Sequence, residues 1–170
     1  MHIRKIILPT ILYLFLSITA NAQEPPVPYE LTVNLLSQTE QVYINGYPAT
    51  IPIDKAVSQR ENFQFTEIST RKPFFGWIVP SREKNTLQTA YRLLVASERD
   101  FLLKDSADLW DSGKVDGNCS ANILYSGKQL EPGKIYFWKV KTWDHRGEES
   151  GFSVISAFKT AQNLTDYATD

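Results

Sequence analysis

The chain has 170 residues, 18 Lys and Arg against 19 Asp and Glu, and is 42% hydrophobic and 22% charged. This is the make-up of an ordinary globular chain with room for one domain or two small ones, and a net charge of -1 supplies no basic field to hold a nucleic-acid backbone. A single cysteine, Cys119, excludes an intrachain disulfide, a CxxC pair and a thiolate zinc site.

Arg4 and Lys5 precede an apolar run over residues 6–18, and Ala20-Asn21-Ala22 then offers the small-x-small pattern that a signal peptidase reads. The sequence predicts a signal peptide over 1–22, a mature chain starting at Gln23, and an exported protein, periplasmic or extracellular. The run is interrupted by Pro9 and falls short of the roughly 20 residues that span a bilayer as a helix, so no membrane span is expected.

Beyond Pro25-Pro26-Val27-Pro28, residues 29–35 place an apolar residue at every second position, the period of a strand with one buried face. Asn45-Gly46 sits between short apolar runs and suits a tight hairpin, with Tyr43 and Tyr47 beside it as a small aromatic platform for sugar or domain contact. From Asp54 to Lys72 no period dominates, and one short strand is expected at 63–68. Tyr91, Leu93 and Val95 alternate through a central strand, a helical turn follows at 101–104, and Trp110 and Ile123 lie in short strands. In the run 135–143, Tyr136, Trp138, Val140 and Thr142 share one face, while Lys139, Lys141 and Trp143 lie on the other. Short strands at roughly ten-residue spacing, an aromatic content of 12% and no long helical pattern predict an all-β chain folded as an antiparallel β-sandwich.

Leu130-Glu131-Pro132-Gly133-Lys134-Ile135-Tyr136 has the spacing of a tyrosine corner, in which a buried ring turns its hydroxyl back to upstream backbone. Leu130, Pro132 and Tyr136 are therefore assigned structural roles. The segment resembles the L-x-P-G-x-x-Y motif of fibronectin type III domains. Six motifs in order are more specific: Pro73-Phe74-Phe75-Gly76-Trp77, residues 88–97, residues 109–115, residues 125–130, Tyr136 to Asp144 and Ala157-Phe158-Lys159-Thr160. Together they resemble the N-terminal fibronectin-type-III-like domain of secreted bacterial α-L-rhamnosidases, inverting glycoside hydrolases that remove terminal rhamnose from plant glycans and glycosides. The resemblance implies a fibronectin type III or immunoglobulin-like sandwich over 73–160. Residues 23–72 form an irregular extension carrying a lead strand and an inserted segment, and 161–170 form a linker to a catalytic domain that this chain lacks.

In that family the general acid and base stand on a later helical barrel, so the resemblance assigns no catalytic residue here. The local chemistry agrees, since inversion needs two carboxyl groups roughly 6.5–9.5 Å apart on opposite faces of a sugar. Asp144, Glu148 and Glu149 crowd one turn and read as a solvated charged loop, with His145 a turn histidine. Cys119 reads as a small residue at a strand start, with a reactive exported thiol as the alternative. No phosphate loop, calcium loop, metal set or cofactor motif is present. Trp143, opposite Tyr136 and Trp138, is the candidate for an outward aromatic patch that contacts sugar or a neighbouring domain. Two functions are consistent with these features: a non-catalytic accessory sandwich whose partner is the downstream catalytic domain, or a stand-alone exported module binding protein or carbohydrate such as rhamnose-containing glycans.

Overall fold

A computed structural model describes residues 26–166 apart from 60, 61 and 82, so the expected signal peptide and the last four residues lie outside it. In chain order the elements are β1 (Tyr29–Val33), β2 (Leu36–Ser37), β3 (Val42–Ile44), β4 (Tyr47–Ala49), α1 (Ile53–Ala56), β5 (Phe63–Phe65), β6 (Glu67–Thr70), β7 (Phe74–Ile78) and β8 (Gln88–Ala96). Then come α2 (Arg99–Leu103), β9 (Trp110–Asp111), β10 (Val115–Asp116), β11 (Ile123–Leu124), β12 (Ile135–Asp144) and β13 (Ser156–Thr165). None of these helices is long and apolar enough to cross a membrane.

Two sheets face each other as an immunoglobulin-like sandwich. The first has the order β11-β7-β1-β2 and the second β10-β8-β12-β13-β6, with β9 also on β8. Among the described residues every strand pair is antiparallel except β13 with β6. The alternation read from the sequence builds the space between the sheets: Leu93 and Val95 of β8 and Trp138 and Val140 of β12 meet Phe75 and Trp77 of β7. Trp138 is wholly buried, with its ring centroid 4.7 Å from that of Phe75.

The sandwich is larger than the 73–160 module expected from the sequence. β1 lies inside the first sheet and β6 closes an edge of the second, so the chain enters one sheet, leaves, and returns to the other. At the far end β13 continues through Thr165, where Thr165 pairs with Thr70, so half of the expected linker is strand. The stretch 63–68 is two strands broken at Thr66: β5 joins a small sheet of order β4-β3-β5, whereas β6 belongs to the sandwich.

That small sheet, with α1 and α2, covers the outer side of the second sheet. Val42, Ile53, Leu94, Leu102, Phe137 and Ala157 form a second core there. Side chains on a strand alternate between faces, so Leu94 and Phe137 point away from the first core and need this cover. The face carrying Lys139 and Lys141, read from the sequence as the opposite and charged side of the strand, is buried as a result. Lys139 is 5% exposed; its ammonium lies 4.2 Å from the Phe152 ring centroid and donates to the Leu102 carbonyl and the Asp105 carboxylate at the end of α2.

Candidate functional site

The turn before β12 is a latch. The Tyr136 hydroxyl accepts a hydrogen bond from the Glu131 backbone N–H at 2.7 Å, and burial raises the phenol above its ordinary pKa against the pull of that N–H. Leu130 is wholly buried in the first core, Pro132 is exposed at the bend, and Gly133 adopts φ +67° beneath the Gln162 side chain. The Thr160 hydroxyl donates to the Glu131 carbonyl at 2.7 Å and accepts from the Lys134 N–H at 2.9 Å, tying the turn to β13. A second tyrosine works in the same way nearby: Tyr125 donates its hydroxyl to the Lys128 carbonyl at 2.7 Å. The sequence signal for it is Tyr125-Ser126-Gly127-Lys128, an aromatic before a glycine turn, which by its pattern alone reads only as a strand end.

Trp143 is not an open patch. Its side of β12 is covered, the residue is 9% exposed, and the Lys114 and Lys141 ammonium groups lie 4.7 and 5.1 Å from its ring centroid. The reason is the attraction between a lysine ammonium and the face of an indole, which brings two charged side chains over the ring where the sequence pattern suggests open surface. Trp143 does form part of the wall of a cleft of about 290 Å³, shared with Pro26, Val79, Thr86 and Arg146.

The polar side of that cleft holds the acidic turn, and its groups are spent on one another. The Asp144 carboxylate accepts from the backbone N–H groups of Arg146 and Glu148 at 2.8 and 2.9 Å and from Arg146 Nε at 3.1 Å. Burial pushes this carboxyl up, but those three donors outweigh it and hold it below the usual carboxylate range. Arg146 also pairs with Glu83 at 2.9 Å and Glu148 at 3.1 Å, and Glu149 pairs with Lys141. A general acid needs a raised pKa and a free proton to deliver, and Asp144 is held in the opposite direction. His145 is exposed in the turn, its Nδ1 accepting from the Leu87 N–H at 3.4 Å.

The Asn45-Gly46 hairpin forms as its sequence predicts, with positive φ at both residues. Its register pairs Tyr43 with Pro48 and Ile44 with Tyr47, which puts the two tyrosines on opposite faces. They form no shared platform: Tyr43 is half-buried and Tyr47 is 77% exposed. Cys119 lies exposed in the loop between β10 and β11 rather than at a strand start. Among the described residues no group of three or more His, Cys, Asp and Glu side chains is placed to hold a metal ion.

Fold and site together define the class: an immunoglobulin-like β-sandwich in which the polar clusters found hold turns and strands in place. A family model described as the Rha78A-like, N-terminal immunoglobulin domain matches residues 57–163, and the chain belongs to that family. It is 41% identical over 92 residues to an α-L-rhamnosidase of Formosa agariphila, covering 54% of this chain and 10% of that protein. Against an α-L-rhamnosidase of Streptomyces avermitilis it is 38% identical over 88 residues, 52% of this chain and 8% of that one. The solved α-L-rhamnosidase of Dictyoglumus thermophilum superposes with a TM-score of 0.63 at 30% identity, over 83% of this chain and 13% of that chain. A Streptomyces avermitilis α-L-rhamnosidase complexed with L-rhamnose gives 0.58 at 26% identity, over 79% of this chain and 10% of that chain. The chain thus spans about a tenth of the length of the curated relatives it matches.

Proposed function

We propose that this chain is the non-catalytic N-terminal accessory sandwich of a secreted α-L-rhamnosidase, a scaffold for a catalytic domain further along the same polypeptide, which removes terminal α-L-rhamnose from plant glycans or glycosides. The observation that carries this reading is the match of residues 57–163 to an N-terminal immunoglobulin domain, while the chain covers only 10% of the similar rhamnosidase. The chemistry of the acidic turn supports it: Asp144 is held ionised by donors, and Glu148 and Glu149 are paired with Arg146 and Lys141. The signal-peptide pattern read in the sequence over 1–22 supports export. The test is an assay of purified Gln23 to Asp170 with an aryl α-L-rhamnoside, where no hydrolysis above buffer is expected. Turnover that persists after removal of contaminating glycosidases overturns the reading.

A further inference from the structure

The Asn45-Gly46 turn forms no aromatic platform, yet it carries a chemistry of its own. Asn45 stands at φ 52° and Gly46 at φ 83°, both exposed, at the tip where Ile44 pairs with Tyr47. An asparagine followed by glycine is the pairing in which the main chain most readily attacks the side chain, because glycine has no Cβ to shield its nitrogen. Nothing stands within 4 Å of the position that a Gly46 Cβ would take, so a succinimide ring has room to close. The Asn45 carboxamide has no hydrogen-bond partner among the described residues. The nucleophile, in contrast, is restrained. The Gly46 N–H donates to Gln64 Oε1 at 2.8 Å, a side chain that reaches over from β5, where Gln64 pairs with Tyr43. An amide nitrogen attacks only after it loses its proton, and an acceptor on that N–H stabilises the protonated form.

We infer that Asn45 is a self-modification site, deamidated through a succinimide, and that Gln64 is the group that slows the step. Hydroxide removes the Gly46 amide proton and the nitrogen attacks Asn45 Cγ. The new N–Cγ bond forms as the Cγ–Nδ2 bond breaks, and the leaving nitrogen takes a proton from water and departs as ammonia. Water then adds to either ring carbonyl and that C–N bond opens, which leaves aspartate or isoaspartate at position 45. The net change is water consumed and ammonia released. Either product adds a negative charge, and isoaspartate also lengthens the main chain by a methylene inside a turn whose geometry suits a two-residue loop. The damage falls on the cover of the second sheet: β3 carries the wholly buried Val42, and Ala49, Phe63 and Phe65 of β4 and β5 pack on the same core. The inference goes beyond the accessory-domain reading and does not depend on it, because the site is a property of this chain alone.

Incubation of the purified chain at mildly alkaline pH tests it, with peptide mass spectrometry to locate each amide-to-acid conversion. Isoaspartate is counted by methyl transfer from labelled S-adenosylmethionine with an isoaspartyl methyltransferase. The parent is compared with Gln64→Asn, Gln64→Leu and Gln64→Glu; Gln64 is exposed on β5, so these changes leave both cores intact. Asn45 is expected to convert faster than every other asparagine of the folded parent. Withdrawing the acceptor, by shortening it in Gln64→Asn or removing it in Gln64→Leu, should speed conversion about fivefold. Gln64→Glu keeps an acceptor and should convert at the parent's rate or below. Equal rates in the parent, Gln64→Asn and Gln64→Leu overturn the inference. Equal acceleration in all three variants also overturns it, since that assigns the effect to a loosened β5. An Asn45 that outlasts the other asparagines in the parent and in every variant removes the site altogether.

Discussion

Trp77 and Gln88 join the two sheets by a side-chain pair: the indole N–H of β7 donates to Gln88 Oε1 of β8 at 2.9 Å. The same amide donates from Nε2 to the Cys119 carbonyl at 2.7 Å, so one buried glutamine holds a sheet-to-sheet contact and the loop after β10. Gln88→Leu keeps the bulk and removes both partners. Leaving a buried donor without an acceptor costs about 1–3 kcal/mol, and a lower denaturant midpoint with unchanged slope is expected. An unchanged midpoint would show that water replaces the amide.

Tyr136→Phe removes one hydroxyl and leaves the Glu131 N–H facing an apolar ring edge. The loss should be roughly 1–3 kcal/mol if water does not reach that N–H. Equilibrium unfolding in urea measures it, and a midpoint equal to that of the parent chain contradicts a latch at this turn.

The legible and the hidden parts of the fold have one physical cause. Two-residue periodicity reports which side chains share a face but not what covers that face. Leu93, Val95, Trp138 and Val140 are therefore legible as core, and the tyrosine corner is legible because its residues are consecutive. Lys139 and Lys141 read as the charged opposite face of β12, yet a cover made of β3, β4, β5, α1 and α2 lies over that side of the sheet, and Lys139 is buried against Phe152 and the end of α2. That cover has no readable period, because Val42, Ile53, Ala56, Phe63 and Phe65 reach the second core singly from separate short elements. The outward patch expected at Trp143 fails for the same reason, since its lids Lys114 and Lys141 come from a loop 29 positions upstream and from its own strand.

Gly127→Ala should destabilise the chain without any change of charge. The added methyl carbon would lie 2.6 Å from the Tyr125 hydroxyl and 2.7 Å from the Leu109 carbonyl oxygen as well as against Trp110. Two of these neighbours cannot rotate away, so overpacking should cost about 1–3 kcal/mol. Thermal unfolding checks this, and a melting temperature at or above that of the parent chain contradicts the packing described.

The alkaline limb of stability should be steep. Burial, the largest cause in each case, raises the phenols of Tyr91, Tyr125 and Tyr136 above their ordinary value. In the unfolded chain they ionise near pH ~10, while the folded chain keeps its protons to higher pH. The stabilisation is therefore complete below that value and is lost as pH rises through it toward the folded-state values. Urea midpoints should fall above about pH 10, and the combined Tyr125→Phe and Tyr136→Phe variant should show a shallower fall. Parallel curves for the two proteins would mean that these phenols ionise freely when folded.

Trp143 provides the sharpest distinction between a scaffold and a sugar-binding module. A pyranose stacks on an indole only if one face is open over the area of the ring, and here the residue is 9% exposed with two ammonium groups within 5.1 Å of its centroid. Binding would require Lys114 to leave its cation–π contact and Lys141 to leave both the ring and its pairing with Glu149. Each contact is worth a fraction of a kcal/mol to about 2 kcal/mol, comparable with what one stacked sugar returns. Titration with rhamnose-containing oligosaccharides is therefore expected to leave tryptophan fluorescence unchanged in the parent chain. The Lys114→Ala variant uncovers part of the ring and should show a shifted emission spectrum but still no saturable response, because the cleft's polar groups remain paired with one another. A saturable change in the parent chain that disappears in Trp143→Ala would overturn the scaffold assignment and place a sugar site at this end of β12.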